Sequence, residues 1–325
     1  MTQYVLWREK LKFFDLFAGI GGFRLGMERA GHECIGSCEW DKHARETYKK
    51  NFGSYPEYDD AKDLHPQSLP YFDVLCAGFP CQAFSIAGKR LGFEDTRGTI
   101  FFEIARIAKE KRPPYLFLEN VRGLLSHDKG RTFDTIISTL DEMGYDAEWQ
   151  VLNSKYFVPQ NRERIFIVGH LRDRSSRKVF PLGDFDSEIN EKNPNHSQNK
   201  IIAWSSSGRS WGREERIKIG EANTLNTGDG CRTQSSANFV YMSNTNANMK
   251  QREQERTESW TLGTGTDFGI REGMRIRKLT PKECERLQGF PDNWTIGSDT
   301  QRYKQCGNAV TVDVVEYIAK ELRLG

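Results

Sequence analysis

A cysteine and a glutamate each stand at the end of a short apolar run. Cys81 belongs to Gly78-Phe-Pro-Cys-Gln82, directly after Asp73-Val-Leu-Cys-Ala77, and Glu119 ends Tyr115-Leu-Phe-Leu-Glu119. Both runs predict strands of a parallel sheet, and the carboxyl ends of such strands meet in the crevice where ligands bind. A carboxyl group buried there favours its neutral form and could donate a proton. Taken alone, Cys81 is more simply a small buried hydrophobic residue, but beside Glu119 it outlines a site with a thiol nucleophile and a proton donor.

A glycine-rich turn near the start of the chain predicts a ligand-binding loop. Asp15-Leu-Phe-Ala-Gly19-Ile-Gly-Gly22 connects an apolar strand to a helix, and Glu39 follows Gly19 by 20 residues. Glycines here let the backbone approach a ligand beside a helix N-terminus, and an acid at this spacing can bind ribose hydroxyls. Trp40 offers a flat face for an adenine ring or a sulfonium. On these residues alone NAD, FAD and S-adenosylmethionine all fit, and so does a turn that binds nothing.

Two further polar blocks lie next to predicted elements. Gln160-Asn-Arg-Glu-Arg164 precedes the apolar run Ile165-Phe-Ile-Val-Gly169, and Gln305-Cys-Gly-Asn-Ala-Val310 precedes the last predicted helix. Taken alone, the first of these blocks is equally a solvated charged turn.

Hydrophobic periodicity predicts the elements that hold these blocks. Residues 13–170 alternate short apolar runs with amphipathic ones, the pattern of βαβ units around a parallel sheet. A capping box, Thr280-Pro-Lys-Glu283, predicts a later helix start. The predicted strands are 13–18, 33–40, 73–77, 115–119 and 165–169, and the predicted helices are 22–30, 41–52, 99–112, a segment around 136–143, 281–289 and 311–322.

The composition changes after Arg172. Residues 172–275 are rich in Ser, Asn, Thr, Gly and Arg and have few apolar periods, and regularity returns at Leu279. We therefore predict an α/β catalytic domain at 1–172 plus 276–325 and a smaller, loop-rich domain inserted at 173–275.

Overall composition excludes several classes of protein. The 325 residues carry a formal net charge of +2, the mean hydropathy is −0.68, and no apolar run approaches the roughly 18–20 residues of a membrane span. The near-neutral charge leaves nucleic acid possible, because binding needs only a local basic face. Seven scattered cysteines make no disulfide framework, and Cys34 and Cys38 lack the second pair that a zinc site needs. With no signal-peptide pattern, we expect a soluble, cytoplasmic protein with reduced thiols and no bound metal.

In their order and intervals, these five blocks resemble the cytosine-5 DNA methyltransferase family, above all its compact bacterial and phage members from restriction–modification systems. The resemblance covers residues 13–170 and 276–320. It implies an S-adenosylmethionine-dependent, Rossmann-like catalytic domain with a target-recognition domain at 173–275. It also implies methylation of C5 of cytosine within a short specific duplex DNA sequence, by base flipping and cysteine addition at C6.

The resemblance assigns roles to individual residues. Cys81 matches the nucleophile, Glu119 the acid at N3 of cytosine, and Arg164 and Arg162 the residues that hold the base and that glutamate. Gln82 and Ser85 match a loop that closes on DNA, and Thr224 a recurring position of the recognition domain. The matching cofactor positions are Phe17, Gly19, Gly21, Gly22, Glu39, Trp40, Asp60, Ala61, Pro80, Ile100, Asn308 and Val310. Tyr58-Asp59-Asp60-Ala61 departs from the family pattern Gly-Asp-Ile, so Asp59 is an alternative to Asp60.

The implied partner is double-stranded DNA, bound by a monomer in the prokaryotic cytoplasm at the nucleoid, with a cognate restriction endonuclease acting on the same site. One alternative is a transfer-RNA cytosine-5 methyltransferase, whose usual Cys-Phe-Thr signature is absent from this sequence. Another is an NAD-dependent oxidoreductase, which leaves Cys81 and Glu119 without a role. A third is a catalytically silent DNA-binding relative, against which the intact Cys81 and Glu119 argue.

Overall fold

The chain forms two compact units, each described here by itself. The computed structural model describes residues 10–80, 100–174, 178–180, 182 and 279–323, and the backbone of short strands at 202–205, 238–241, 252–255, 259–260, 268–272 and 275–278. Unit 1 comprises 1–152, 164–182 and 314–325, and unit 2 comprises 153–163 and 183–313. Unit 2 thus includes 279–313, which the sequence assigned to the catalytic domain. Because this grouping follows spatial proximity and not function, the functional domain boundary stays a prediction.

A six-stranded sheet forms the centre of unit 1. Its strands are β1 (Lys12–Leu16), β2 (Glu33–Cys38), β3 (Val74–Gly78), β4 (Tyr115–Val121), β5 (Tyr145–Asn153) and β7 (Glu163–Leu171), with the two-residue β6 (Gln160–Asn161) preceding β7. The spatial order is β2-β1-β3-β4-β7-β5. Strands β1 to β4 pair in parallel, as predicted, whereas β7 runs antiparallel to β4. The predicted strand at 165–169 is therefore present, but it runs opposite to the parallel strands of the sheet.

Strand β5 has no counterpart among the predicted strands. Polar residues such as Asp146, Glu148 and Gln150 alternate along it, and most of its positions are only partly buried. A half-exposed strand at the edge of a sheet has no continuous apolar run, which was the pattern used for the other strands.

The helices begin and end close to the predicted positions, with one exception. They are α1 (Gly22–Arg29), α2 (Lys42–Phe52), α3 (Ile100–Lys111), α4 (Arg131–Glu142), α5 (Pro281–Leu287), α6 (Asp299–Asn308) and α7 (Val312–Ala319). The Asp41 carboxylate caps α2 and the Thr280–Glu283 capping box begins α5, both as predicted. Helix α6 was missed, because its sequence is mainly polar, although Ser298 caps it by accepting a hydrogen bond from the amide of Gln301.

Both faces of the sheet in unit 1 are covered by helices. Helices α3 and α4 pack on one face, where the buried strand residues are Phe14, Leu16, Leu75, Ala77, Leu116, Leu118, Ile165 and Ile167. Strand side chains alternate between faces, and Phe117 on the other face packs edge-on against Phe23 of α1, with ring centroids 5.1 Å apart. The predicted α/β Rossmann-like class is confirmed.

The last residues of the chain are anchored to the sheet of unit 1. The Tyr115 hydroxyl donates to the carbonyl of Arg323 at 2.6 Å, and Nε2 of His32 lies 2.9 Å from the carbonyl of Ala319. Nδ1 of His32 accepts from the amide of Leu11, and burial lowers the pKa of this ring. A neutral His32 that donates through Nε2 therefore ties the end of α7 to the first strand.

Unit 2 contains short strands together with α5 and α6. Strands β8 (Ile202–Ser205) and β10 (Arg252–Glu255) pair antiparallel, and β11 (Ser259–Trp260) pairs in parallel with β6. Strands β9 (Asn238–Tyr241), β12 (Phe268–Glu272) and β13 (Arg275–Lys278) form a three-stranded antiparallel sheet. Across the described parts of both units, no helix has the length and apolar character needed to cross a membrane.

Candidate active site

The ends of β3 and β4 bring the two predicted reactive segments side by side. Gly78 pairs in register with Glu119, and the amide of Phe79 donates to the carbonyl of Glu119 at 3.3 Å. A Cβ built on Gly78 would lie 3.4 Å from Oε2 of Glu119. Cys81, one residue beyond Pro80, lies outside the described residues, so its approach to Glu119 stays a prediction.

Glu119 forms a buried ion pair with Arg164. Nε of Arg164 lies 3.1 Å from Oε1 of Glu119, and the two side chains are 10% and 12% exposed. Antiparallel pairing sets this contact, because Val121 lies opposite Arg164 in the β4–β7 register. An arginine remains charged when buried, so it holds the carboxylate oxygen in one orientation and leaves the other oxygen near Gly78. The predicted partnership of these two residues is present.

Asn120 is buried immediately behind Glu119. Its Oδ1 accepts from the amide of Val121 at 2.8 Å, and among the described residues its Nδ2 makes no hydrogen bond. A buried amide of this kind is costly to desolvate, which indicates that the polar residues at this end of β4 serve something other than stability.

Arg162 has different partners from Arg164. Its Nη2 donates to the carbonyl of Ala309 at 2.9 Å and to that of Gly307 at 3.3 Å, and the residue is 2% exposed. The backbone amide of Arg162 donates to Oδ1 of Asn153 at 3.1 Å. Both arginines were predicted to hold the base and Glu119. The described contacts of Arg162 include the end of α6, and they do not test its predicted role at the base.

The glycine-rich loop runs across the carboxyl ends of β1 and β2. Phe17, Gly19 and Gly21 all have positive φ, at 62°, 56° and 85°. A Cβ on Gly21 would overlap the ring of Phe52, so both the backbone conformation and the packing favour glycine there. The loop is tied to β2 by the amide of Ala18, which donates to the carbonyl of Cys38 at 2.9 Å.

Glu39 is bound directly to this loop. Its Oε2 accepts from the amide of Gly19 and its Oε1 from the amide of Asp41, both at 2.7 Å. Burial raises the pKa of Glu39, while the hydrogen bonds from Asp41 and Gly19 lower it. The neighbouring Trp40 is 76% exposed. Gly19 and Glu39, which the sequence analysis placed at one ligand site, are thus in direct contact.

The segment 58–61 lies beside Glu39. Tyr58 pairs with Cys38 in a parallel bridge, and the amide of Glu39 donates to the carbonyl of Tyr58 at 3.0 Å. Asp59 is ion-paired with Arg45, whereas Oδ1 of Asp60 accepts a local hydrogen bond from the amide of Lys62 at 3.0 Å. Ala61 is buried, as are Gly21 and Gly22.

The other predicted cofactor residues lie on separate elements. In unit 1, the exposed Pro80 follows β3 and Ile100 begins α3. In unit 2, Asn308 is the exposed last residue of α6, and Val310, two residues later, is 8% exposed. The predicted DNA-binding residues Gln82, Ser85 and Thr224 lie outside the described residues.

Asp15 is a buried acid to which the sequence gave no role. It is fully buried at the end of β1, where its Oδ2 accepts from the amide of Arg24 in the first turn of α1 at 3.2 Å. Burial raises the pKa of Asp15 to about 8, opposed mainly by the hydrogen bond from Arg24. The sequence feature that could have indicated a buried acid here is the position of Asp15 inside the apolar run Phe13–Leu16.

Within the described residues, no group of three acidic, histidine or cysteine side chains could hold a metal ion.

Comparison with known proteins identifies the chain. The sequence profile of the C-5 cytosine-specific DNA methylase family matches residues 11–323. The chain belongs to this family. Type II methyltransferase M.HpaII of Haemophilus parainfluenzae is 41% identical over 338 residues, covering 97% of this chain and 90% of the relative. M.HhaI of Haemophilus parahaemolyticus is 38% identical over 326 residues, covering 95% and 93%.

A solved structure agrees on the fold. The S. pombe Dnmt2 methyltransferase superposes with a TM-score of 0.60 at 17% identity, covering 94% of this chain and 96% of that one. At this identity the likeness shows the fold alone. As a C-5 cytosine-specific DNA methylase, the protein is an enzyme that methylates C5 of cytosine in DNA with S-adenosylmethionine.

The loop of this DNA methylase suits that cofactor chemically. Among the described residues, no atom lies within 4 Å of a Cβ built on Gly19, which leaves open space beside the loop. Each Glu39 oxygen accepts one backbone hydrogen bond and keeps capacity for a ribose hydroxyl. The exposed indole of Trp40 can stack on adenine.

Proposed function

We propose that the protein methylates cytosine within a short specific sequence of duplex DNA, after flipping the base out of the helix. The observation that carries this proposal is the Glu119–Arg164 pair at the end of β4, beside the strand that leads through Pro80 to Cys81. The reacting carbons lie within the base stack, so the base must leave it. Unstacking costs a few kcal/mol, which contacts in the enzyme pocket offset.

Cys81 is the proposed nucleophile. C5 of cytosine is too weakly nucleophilic to attack a methyl donor directly. The Cys81 thiolate adds to C6, and the electron pair displaced from the C5–C6 bond forms the new bond from C5 to the methyl group. S-adenosylmethionine would supply that methyl group from its sulfonium, whose S–CH3 bond would break with the electron pair returning to sulfur to leave a neutral thioether. Loss of the C5 proton to a base then restores the C5–C6 double bond and expels the Cys81 thiolate.

Glu119 is the proposed acid at N3 of the cytosine. A proton held or shared at N3 draws electron density from C6, which favours thiolate addition. Arg164 fixes one carboxylate oxygen of Glu119 and so orients the other oxygen toward the base. Arg164 thereby supports the position of the group that acts on N3. The family resemblance gives Arg162 a role at the base as well.

The proposed cofactor pocket follows the family positions. Glu39 binds the ribose and Trp40 the adenine, and Asp60 binds the adenine amino group. Asp60 is preferred to Asp59, because Asp59 is already paired with Arg45. The remaining members of the set are Phe17, Gly19, Gly21, Gly22, Ala61, Pro80, Ile100, Asn308 and Val310.

Sequence recognition is assigned to residues 173–275, and catalysis to 1–172 with 276–325. Gln82 and Ser85 belong to the proposed loop that closes on DNA, and Thr224 to the recognition domain. Phosphate contacts position such a protein, and contacts to base edges specify its sequence.

We infer that the enzyme acts as a monomer in a bacterial restriction–modification system, in the cytoplasm at the nucleoid. Support comes from relatives named Type II methyltransferases in Haemophilus. A cognate endonuclease would cut the same sequence when it is unmethylated.

Bisulfite sequencing of DNA from a host that expresses the protein tests this proposal, with a host expressing Cys81→Ser as the control. We expect complete methylation of cytosine at one short sequence and none with the variant. In parallel, purified protein is given labelled S-adenosylmethionine with either duplex DNA or total transfer RNA. Labelling of transfer RNA alone, or methylation without sequence preference, would contradict the proposal.

A further inference from the structure

Buried polar side chains hold the backbone at the end of α6. The last carbonyls of a helix have no partners within the helix and must be satisfied elsewhere when buried. Gln288 donates through Nε2 to the carbonyl of Cys306 at 2.7 Å. Arg162 donates through Nη2 to the carbonyls of Gly307 and Ala309 at 3.3 Å and 2.9 Å. Side chains from other elements therefore bind backbone carbonyls both before and after Asn308. We call this set of hydrogen bonds the clamp.

The clamp continues through the residues that follow. The Thr311 hydroxyl donates to Oε1 of Gln288 at 3.0 Å and lies 2.8 Å from the Ser154 hydroxyl. The amide of Val312 donates to the carbonyl of Gln288 at 2.9 Å. All of these side chains are buried. Hydrogen bonds from several buried side chains rigidify the backbone segment that they contact.

Arg162 brings two properties to this network. Its guanidinium stays charged when buried, and one nitrogen, Nη2, donates to two carbonyls at once. Its positive charge also lies at the C-terminal end of α6, where the helix dipole favours a cation. The hydrogen bonds and the positive charge of Arg162 both stabilise the backbone on either side of Asn308.

We propose that Arg162 is a positioning residue for the cofactor: by fixing the backbone from Gly307 to Ala309, it presents Asn308 and Val310 to S-adenosylmethionine. This inference rests on the proposed assignment of Asn308 and Val310 to the cofactor. It gives the two arginines of Gln160-Asn-Arg-Glu-Arg164 separate tasks, although only Glu163 lies between them in the chain. Arg164 orients Glu119 for the chemical step, and Arg162 orients the segment that binds the cofactor.

The test measures S-adenosylmethionine affinity of the full-length protein by calorimetry, without DNA. Arg162→Ala should weaken binding about tenfold or more, the scale of a lost hydrogen bond from a charged group. Arg162→Lys should bind with intermediate affinity, because it keeps the positive charge but carries it on a shorter side chain. Fluorescence of 2-aminopurine at the target base, which reports flipping, is recorded for both Arg162 variants.

Two controls separate the possible outcomes. Arg302→Ala removes another largely buried arginine of unit 2, paired with Glu285, and should lower stability without changing cofactor affinity. Asn308→Ala tests the assignment of Asn308 to the cofactor.

If Asn308→Ala weakens cofactor binding but neither Arg162 variant does, the positioning role is overturned and the proposed function stands. If Asn308→Ala has no effect, the assignment fails and this inference with it. Loss of the 2-aminopurine signal in Arg162→Lys, with normal cofactor affinity, would place Arg162 at the base instead.

Discussion

The guanidinium of Arg164 holds the carboxylate of Glu119 across two antiparallel strands, with Nε 3.1 Å from Oε1 in a largely buried setting. This contact links the end of β4 to the start of β7 and fixes the orientation of an acid that the parallel strands alone would leave free to rotate. Glu119→Gln keeps the shape of the side chain but cannot supply a proton to N3. We expect the single-turnover rate to fall by about 10²-fold or more, the scale of general acid catalysis, with DNA affinity retained.

Rapid-quench measurement of one turnover on the target duplex checks this expectation. Glu142→Gln, an exposed glutamate at the end of α4, is the matched control and should react at the wild-type rate. A Glu119→Gln enzyme as fast as wild type would leave Glu119 as a structural partner of Arg164 only.

The second prediction concerns Cys81. Cys81→Ser should abolish methyl transfer and keep cofactor and DNA binding, because only the covalent step needs a thiolate. A target duplex carrying 5-fluorocytosine should trap the wild-type protein covalently, since fluorine at C5 cannot leave as a proton does. Denaturing electrophoresis shows the adduct. Turnover by the serine variant, or an adduct formed without Cys81, would remove this residue from the mechanism.

The third prediction separates conformation from packing in the glycine-rich loop. Gly21 and Gly53 have nearly equal positive φ, 85° and 83°. Among the described residues, a Cβ built on Gly21 meets the ring of Phe52, whereas one built on Gly53 meets no atom within 4 Å. Gly53→Ala should lower the free energy of unfolding by about 1–2 kcal/mol through backbone strain. Gly21→Ala should lower it by about 2–5 kcal/mol, because overpacking is added to the strain.

Urea unfolding at one pH compares the two alanine variants. Calorimetry should also show weaker S-adenosylmethionine binding for Gly21→Ala and unchanged binding for Gly53→Ala. Equal losses of stability in the two variants would mean that Phe52 moves aside freely.

The fourth prediction concerns Asp15 and pH. Its pKa is raised by burial from 3.8 to about 8, so the folded protein keeps the proton while the unfolded chain releases it. The contribution of Asp15 to stability is therefore fully present below pH 4 and is lost progressively as pH rises toward about 8. Asp15→Asn cannot titrate and keeps an oxygen that can accept from the amide of Arg24.

Urea unfolding at pH 5, 6.5 and 8, chosen as roughly even steps through this window, measures the difference between wild type and variant. Asp15→Asn should gain stability relative to wild type as pH rises, whereas Asp63→Asn, at an exposed acid, should follow the wild-type curve. Parallel curves for wild type and Asp15→Asn would show that Asp15 does not hold its proton in the folded state.

The fifth prediction concerns the division of tasks between regions. Replacing residues 173–275 with the corresponding part of M.HpaII should change which sequence is methylated and leave the chemistry intact, because base contacts and methyl transfer would then reside in different parts of the chain. Bisulfite sequencing of host DNA reads the outcome. An active chimera that still methylates the original sequence would place recognition elsewhere.

Local and near-neighbour interactions are the part of this structure that the sequence determined by itself. Asp41 and Thr280 begin helices by capping amides two or three residues away, and buried strands such as Val74–Gly78 are continuous apolar runs. The glycine-rich loop and its contact with Glu39 follow from the order of β1, α1 and β2. These features depend on residues close in the chain or on one repeated supersecondary unit, so spacing was sufficient to predict them.

Only the tertiary structure decided the remaining features, because each depends on residues far apart in the chain. The reversed direction of β7 creates the Glu119–Arg164 contact, and no local pattern at 163–171 encodes strand direction. Arg162 meets Gly307 and Ala309 across more than 140 positions, so its sequence neighbours cannot reveal its partners. The burial that holds a proton on Asp15 likewise comes from elements packed around β1. The type of a residue limits the chemistry that its side chain can perform. The packing of distant segments decides which other side chains or backbone groups it contacts.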